Sequence, residues 1–159
     1  MKPKFILGFG MILAAVAYLI FSATQASAER FMTVNEMQAE VPDVVGQSLR
    51  ITGAVIGESI QYDPNTLTLT FEVAHAPADF KVIEEQGGLA EVLHQAVIDP
   101  TRQRVKIVYI GVKPDLLRGE AQAIMTGKLD EAGIFHADEL LLKCPTRYEE
   151  ALPEQASTD

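Results

Sequence analysis

Tryptophan is absent, cysteine occurs once, and lysine plus arginine number 13 against 22 aspartates and glutamates. A single cysteine excludes any disulfide within the chain. With 4 tyrosines and 7 phenylalanines among 159 residues, rows of stacking aromatics for single-stranded nucleic acid are missing as well. The formal charge is −9, and because Lys2 and Lys4 lie ahead of the first apolar run, the chain from Glu29 onward carries 11 basic and 22 acidic residues, a net −11. Gripping phosphates requires clustered cations that release counterions, and a field of this sign repels a polyanion. The length suits one domain. An apolar fraction of 48% excludes a disordered chain.

What the sequence does have is one long hydrophobic run. Phe5 to Ala23 contains 19 residues without a charge. As a helix rising about 1.5 Å per residue it would reach about 28 Å, close to the hydrocarbon thickness of a bilayer. Lys2 and Lys4 before it set the orientation: residues 1–4 a cytoplasmic tail, residues 5–24 a retained transmembrane anchor, the remainder exported. Ala26-Ser27-Ala28 has the small-x-small form of a signal-peptide cleavage site, the competing reading. The run exceeds the usual signal core of about 7–15 residues, which favours the anchor.

Beyond the anchor, Glu29 to Val41 carries Phe31, Met32, Val34 and Met37 at mixed spacing, a turn of helix or a strand lead-in that Pro42 ends. The pattern then changes to period two. Leu49–Val55 alternates, and Thr66–Val73 alternates throughout, with Leu67, Leu69, Phe71 and Val73 toward a core and Thr66, Thr68, Thr70 and Glu72 toward water. Asp63-Pro64-Asn65 is turn chemistry, so Ser59–Tyr62 and Leu67–Val73 are expected to form a hairpin. Further strands are expected over Arg104–Ile110, stopped by Gly111, over Gln122–Leu129, and over Ile134–Lys143 after Gly133. Gly53 and Gly127 inside strands suggest bulges or barrel corners. Five or six short strands point to a small antiparallel barrel or sandwich. The exception is Pro77–Val97, where Phe80, Ile83, Leu89, Val92, Leu93, Ala96 and Val97 fall near helical spacing and Gly87-Gly88 divides the segment.

Cys144 sits where the last strand ends, and Pro145 stops further pairing. If Pro145 opens a helical turn, Tyr148, four residues on, comes near the same face. The residues alone leave two readings open. One is a buried structural thiol, the usual fate of free cysteine. The other is a thiol kept for use, since an unpaired cysteine in an exported chain risks oxidation.

The stretch Val108-Tyr109-Ile110-Gly111-Val112-Lys113-Pro114-Asp115-Leu116-Leu117, then Gly119, Gly127-Lys128-Leu129 and Gly133-Ile134-Phe135-His136-Ala137, leading into Leu142-Lys143-Cys144-Pro145-Thr146-Arg147-Tyr148, resembles the cytochrome c maturation protein E (CcmE) family of heme chaperones. Gly57-Glu58-Ser59-Ile60 and Phe71-Glu72-Val73 fall at a similar glycine-serine turn and barrel strand. The resemblance covers most of the chain outside Pro77–Gln103, and its C-terminal third is the specific part. It implies an all-β, OB-fold-like antiparallel barrel over residues 29–148, ending in the heme motif, with a flexible acidic tail over 149–159 and an anchor in a bacterial inner membrane. It implies a periplasmic, non-enzymatic carrier that takes heme b from a membrane heme-delivery complex, holds it covalently and transiently, and passes it to a heme lyase acting on apocytochrome c.

The common motif of that family is a histidine, three residues and a tyrosine, and a variant branch carries cysteine in the histidine position. This sequence is similar to the variant: Cys144 stands at the covalent attachment position and Tyr148 at that of the axial iron ligand. Two further departures are the longer Pro77–Gln103, read as a short helical insertion, and Leu117 where the family often has an aromatic.

His136 precedes Cys144 by eight residues, and on a continuous strand even spacing puts both on one face, a candidate neighbour of the heme or a solvated strand histidine. His75 and His94 lie in or beside the insertion, far from the motif in sequence. Three histidines without paired spacing and one distant cysteine do not make a zinc site. The competing functional reading is an exported, membrane-anchored thiol enzyme or redox protein using Cys144, weakened by the lack of a resolving cysteine and an identifiable base.

Overall fold

In the computed structural model, which describes residues 10–19 and 30–144, the alternating segments become strands that close on themselves. The strands are β1 (Arg30–Thr33), β2 (Ser48–Asp63), β3 (Thr68–Ala74), β4 (Arg104–Ile110), β5 (Gln122–Leu129) and β6 (Ile134–Lys143). Their order is β1-β2-β3-β4-β6-β5, and β5 pairs back onto β2, so β2 to β6 form a closed five-stranded barrel of the OB type. The barrel pairings are antiparallel except β4 with β6, which run parallel from Lys106↔Ile134 to Tyr109↔Ala137. β1 lies outside the closure, parallel to the first half of β2.

The core follows from the alternation. Leu69, Phe71 and Val73 of β3 are buried, as are Leu49, Ile51 and Val55 of β2, Val105 and Ile107 of β4, and Met125 and Phe135 from β5 and β6. Burying each large side chain contributes about 1.5–3 kcal/mol.

Three expectations are corrected in detail. Leu49–Val55 and Ser59–Tyr62 are one 16-residue strand, β2, whose register against β3 shifts between Ile56 and Gln61. That shift lets one strand serve β5 with its first half and β3 with its second. Leu67 does not face the core: it has φ +54° and is 43% exposed. The Asp63 carboxylate accepts from the Asn65 N–H and the Thr66 hydroxyl, which prolongs the turn so that the strand begins at Thr68. The lead-in is strand and helix in succession. β1 passes into a helix at Val34–Ala39, opened by a reciprocal capping box between Thr33 and Glu36.

Residues 10–19 are helical and exposed; we call them α1, and Val34–Ala39 α2. Among the described residues no helix is long and apolar enough to cross a membrane. The anchor expected over 5–24 is described only in this central part, and the tails 1–4 and 149–159 lie outside the described residues.

The insertion forms two helices, α3 (Phe80–Glu85) and α4 (Leu89–Ile98), divided at Gly87 and Gly88, whose φ values of +94° and +93° suit glycine alone. Val92, Leu93 and Ala96 of α4 pack on Ala54, Ile56, Ala74 and Ala76. This is a second apolar cluster, separate from the main barrel core. Alanines at positions 54 and 74, paired across β2 and β3, leave room for the helix to approach.

Candidate functional site

Cys144 follows directly on the last residue pair of the β5–β6 ladder, Gln122↔Lys143. Which way it faces is decided earlier in β6. Thr126 pairs with Glu139 but Gly127 pairs with Ala137, so Asp138 is an extra residue, a β-bulge. Before the bulge the odd positions Phe135 and Ala137 are buried and His136 is exposed. After it the even positions Leu140 and Leu142 pack against the core, and Cys144 continues that row, half-buried at the barrel rim. The bulge exists because position 127 has no side chain: a Cβ there would collide with the His136 carbonyl oxygen.

The strand parity that placed His136 and Cys144 on one face is therefore corrected: the bulge puts them on opposite rows. Eight residues of strand also separate them by about 25 Å. His136 lies near the start of β6, and its side chain reaches back to the β5–β6 turn. Its Nε2 lies 2.8 Å from Asp130 Oδ2, while the Ala132 and Ile134 N–H groups donate to Asp130 Oδ1. The Ile134 N–H first, and then His136, hold the Asp130 carboxyl below the usual carboxylate range. The structure does not bring His136 to Cys144.

Instead it brings the loop between β4 and β5. Parallel pairing places the C-terminal ends of β4 and β6 at the same end of the barrel, with Ile110 one step beyond the Tyr109↔Ala137 pair. From there the loop runs alongside the extension of β6 until the Leu116 carbonyl oxygen lies 3.9 Å from Cys144 Sγ. Large apolar side chains stand exposed here: Ile110 at 74%, Val112 at 73%, Leu116 at 54% and, on β6, Leu141 at 51%. Leu117, by contrast, is buried in the core and pins the loop.

Tyr148 lies outside the described residues. His75 stands at the end of β3, where burial first and the nearby Arg102 second push its pKa down. His94 on α4 reaches Glu120 in the loop, Nδ1 to Oε1 2.8 Å. Hydrogen bonding to Glu120, reinforced by its charge, raises the His94 pKa. Sequence reasoning missed Leu116 and the His94–Glu120 pair, both of which depend on how the loop folds back.

A hollow on the barrel, lined by Glu58, Ser59, Glu72 and Lys106 among others, includes no residue of the loop or of β6. The chemistry at Cys144 is that of an open surface: one half-buried thiol beside exposed carbon, suited to a flat apolar partner and not to an enclosed small molecule.

A family model described as the CcmE domain matches residues 28–151. Cytochrome c-type biogenesis protein CcmE of Methylococcus capsulatus is 28% identical over 133 residues, covering 83% of this chain and 69% of that protein. The proteins of the same name from Nitrosomonas europaea and Yersinia pestis are each 28% identical, over 147 and 149 residues, covering 92% and 87% of this chain and 78% and 76% of theirs. Among solved structures, the OB-fold domain of heme chaperone CcmE from Desulfovibrio vulgaris aligns with a TM-score of 0.41 at 19% identity, covering 64% of this chain and 91% of that one. The complex of yeast Stn1 and Ten1 aligns with a TM-score of 0.46 at 11% identity, covering 75% and 65%. With the family model spanning the whole barrel and the segment that follows it, this chain belongs to the CcmE family, a family of heme chaperones and not of enzymes.

Proposed function

We propose that this chain is an extracytoplasmic carrier that binds heme b covalently and transiently through Cys144 and hands it on for cytochrome c assembly, as a member of the cysteine-variant branch of its family. The observation that carries this reading is the position of Cys144, half-buried at the rim of the barrel where the exposed strip from Ile110 to Leu116 ends, a strip whose Ile110, Val112 and Leu116 are interspersed with exposed Lys113 and Asp115. A porphyrin laid on that strip covers exposed carbon and brings a vinyl edge to the thiol. Attachment is then an addition across the vinyl double bond: a bond forms from Sγ to one vinyl carbon, the thiol proton goes to the other, and no oxidant or reductant is consumed. Tyr148 follows at the spacing of the family's axial iron ligand. Its phenolate oxygen would supply one ligand while the rest of the iron's environment stays open for transfer.

The partners on this reading are a membrane heme-delivery complex as donor, and a heme lyase with apocytochrome c as acceptor. Residues 5–24 hold the carrier at the membrane where both are met. A thioether is more stable than the histidine bond of the commoner motif, so release from Cys144 is the demanding step of the cycle.

The full-length protein purified from heme-replete cells is expected to carry the mass of one heme and to stain for heme on a denaturing gel. A mass equal to that of the polypeptide alone would overturn the reading. Tyr148→Phe is expected to keep gel-stable heme but to shift the Soret band, because the phenolate oxygen is gone. An unchanged ferric spectrum would remove Tyr148 from the iron. For the anchor, the mature protein is expected to fractionate with membranes and to begin near Met1. N-terminal sequencing that starts at Glu29 would replace the anchor with a cleaved signal.

A further inference from the structure

We infer that His94 is a positioning residue for the Cys144 site: by holding Glu120, the inserted helix α4 fastens the loop between β4 and β5 beside the thiol. The inference rests on reading Cys144 as the attachment residue, and it concerns a part of the chain that has no counterpart in the motif itself.

The contacts form a continuous chain. α4 is fixed to the outside of the barrel by Val92, Leu93 and Ala96. From this helix His94 Nδ1 meets Glu120 Oε1 at 2.8 Å. The Glu120 N–H donates to the Val55 carbonyl at 3.0 Å, and the Val55 N–H donates to the Ala121 carbonyl at 2.9 Å. Gly119 lies so close to Gly57 that a Cβ added to Gly57 would stand 3.0 Å from the Gly119 Cα. Leu117 is buried in the core. On the N-terminal side the Gly111 N–H donates to the Leu67 carbonyl and a turn closes from the Leu117 N–H to the Pro114 carbonyl, and on the C-terminal side residues 117 to 121 tie the Leu116 carbonyl to the barrel and, through Glu120, to α4.

Glu120 is the least comfortable residue in that span. Its φ is +64°, a left-handed conformation that disfavours any side chain with a Cβ. A glycine would relieve it, but glycine has no carboxylate to reach α4. Two charged groups act on His94: Glu120 from the loop, and Glu91 one turn earlier on its own helix. Both are acidic, so both favour the protonated ring. The contact is accordingly at full strength below the ordinary histidine pKa and weakens as pH rises through the raised value. Protonated His94 draws the loop down; neutral His94 relaxes it.

Cys144 is the sole thiol, so alkylation of the full-length, heme-free protein by iodoacetamide reads this site alone. At each pH the rate of a variant is divided by that of the wild type, which cancels the thiolate fraction. At about pH 6, His94→Gln and Glu120→Gln are expected to react about two- to fivefold faster than wild type, the range an exposed ion pair supports, with the ratio closing toward one at about pH 8.5. His94→Lys, which keeps a cation there throughout, is expected to match wild type at the lower pH and to react more slowly than wild type at the higher one. A ratio of one at the lower pH would overturn the inference. So would a raised ratio that is the same at both values, the signature of general loosening. The attachment reading is judged apart from this, by the loss of covalent heme in Cys144→Ser.

Discussion

Cys144→Ser is expected to fold as the wild type does and to carry no gel-stable heme. Folding survives because the thiol contributes little to the barrel. It stands half-buried at the rim, past the last paired residue of β6, and among the described residues its one polar contact is the Leu116 carbonyl oxygen, 3.9 Å from Sγ. A serine hydroxyl fits the same place, and the net change in such a contact is about 1 kcal/mol or less. Attachment does not survive, because a hydroxyl does not add to a vinyl group as a thiol does. Without the bond, one face of the porphyrin stays open to water on the strip from Ile110 to Leu116, and denaturation removes it. The variant should also fail to support cytochrome c assembly. Cys144→His is expected to regain a bond through a ring nitrogen, following the commoner form of the family motif. If Cys144→Ser keeps heme on a denaturing gel, the attachment residue is elsewhere. His136 would be first in question, and since it lies about 25 Å along the strand, the cargo would have to occupy the other end of the barrel.

The barrel was largely legible because its signal is local. Period two in Leu69, Phe71 and Val73, and stops at Gly111 and Gly133, set the bounds of β3 to β6 to within a residue. Gly87-Gly88 divided the insertion where the structure divides it. What was not legible depends on contacts distant in sequence. Parity counted along β6 put His136 and Cys144 on one face, and it failed because the extra residue at Asp138 is visible only in the pairing with β5. Leu67 continued the alternation on paper, yet the Asp63 turn claimed it. His94 looked remote from the motif, 50 positions before Cys144. The closure of β5 onto β2 brings Glu120 back under α4 and makes it a neighbour of the site's loop.

The glycine at position 127 controls both the stability of the barrel and the aim of its thiol, so Gly127→Ala is expected to have the largest effect on stability of any single methyl added to this chain. The obstruction is backbone on every side: the His136 carbonyl oxygen, the Ala137 Cα at 2.8 Å and the His136 carbonyl carbon at 2.9 Å from the added atom. No side chain can rotate away, so β6 itself must move off β5 at the bulge. Overpacking that forces backbone shifts costs about 3 kcal/mol or more at the severe end. That is a large part of the about 5–15 kcal/mol that holds a domain of this size together, and it should lower the melting temperature by about 10 °C or more. Gly133→Ala is the control. Gly133 has φ +78° but nothing within 4 Å of an added Cβ, so it pays the left-handed penalty alone, about 1–2 kcal/mol. Gly127 is not among the glycines of positive φ, so its variant reports the collision and the Gly133 variant the left-handed penalty, each by itself. Gly127→Ala chains that do fold should also attach heme poorly, because the bulge is what turns the row of Leu140, Leu142 and Cys144 toward the core side. Melting of Gly127→Ala within a couple of degrees of wild type, with heme attachment intact, would show that the bulge tolerates a side chain and that something else aims Cys144.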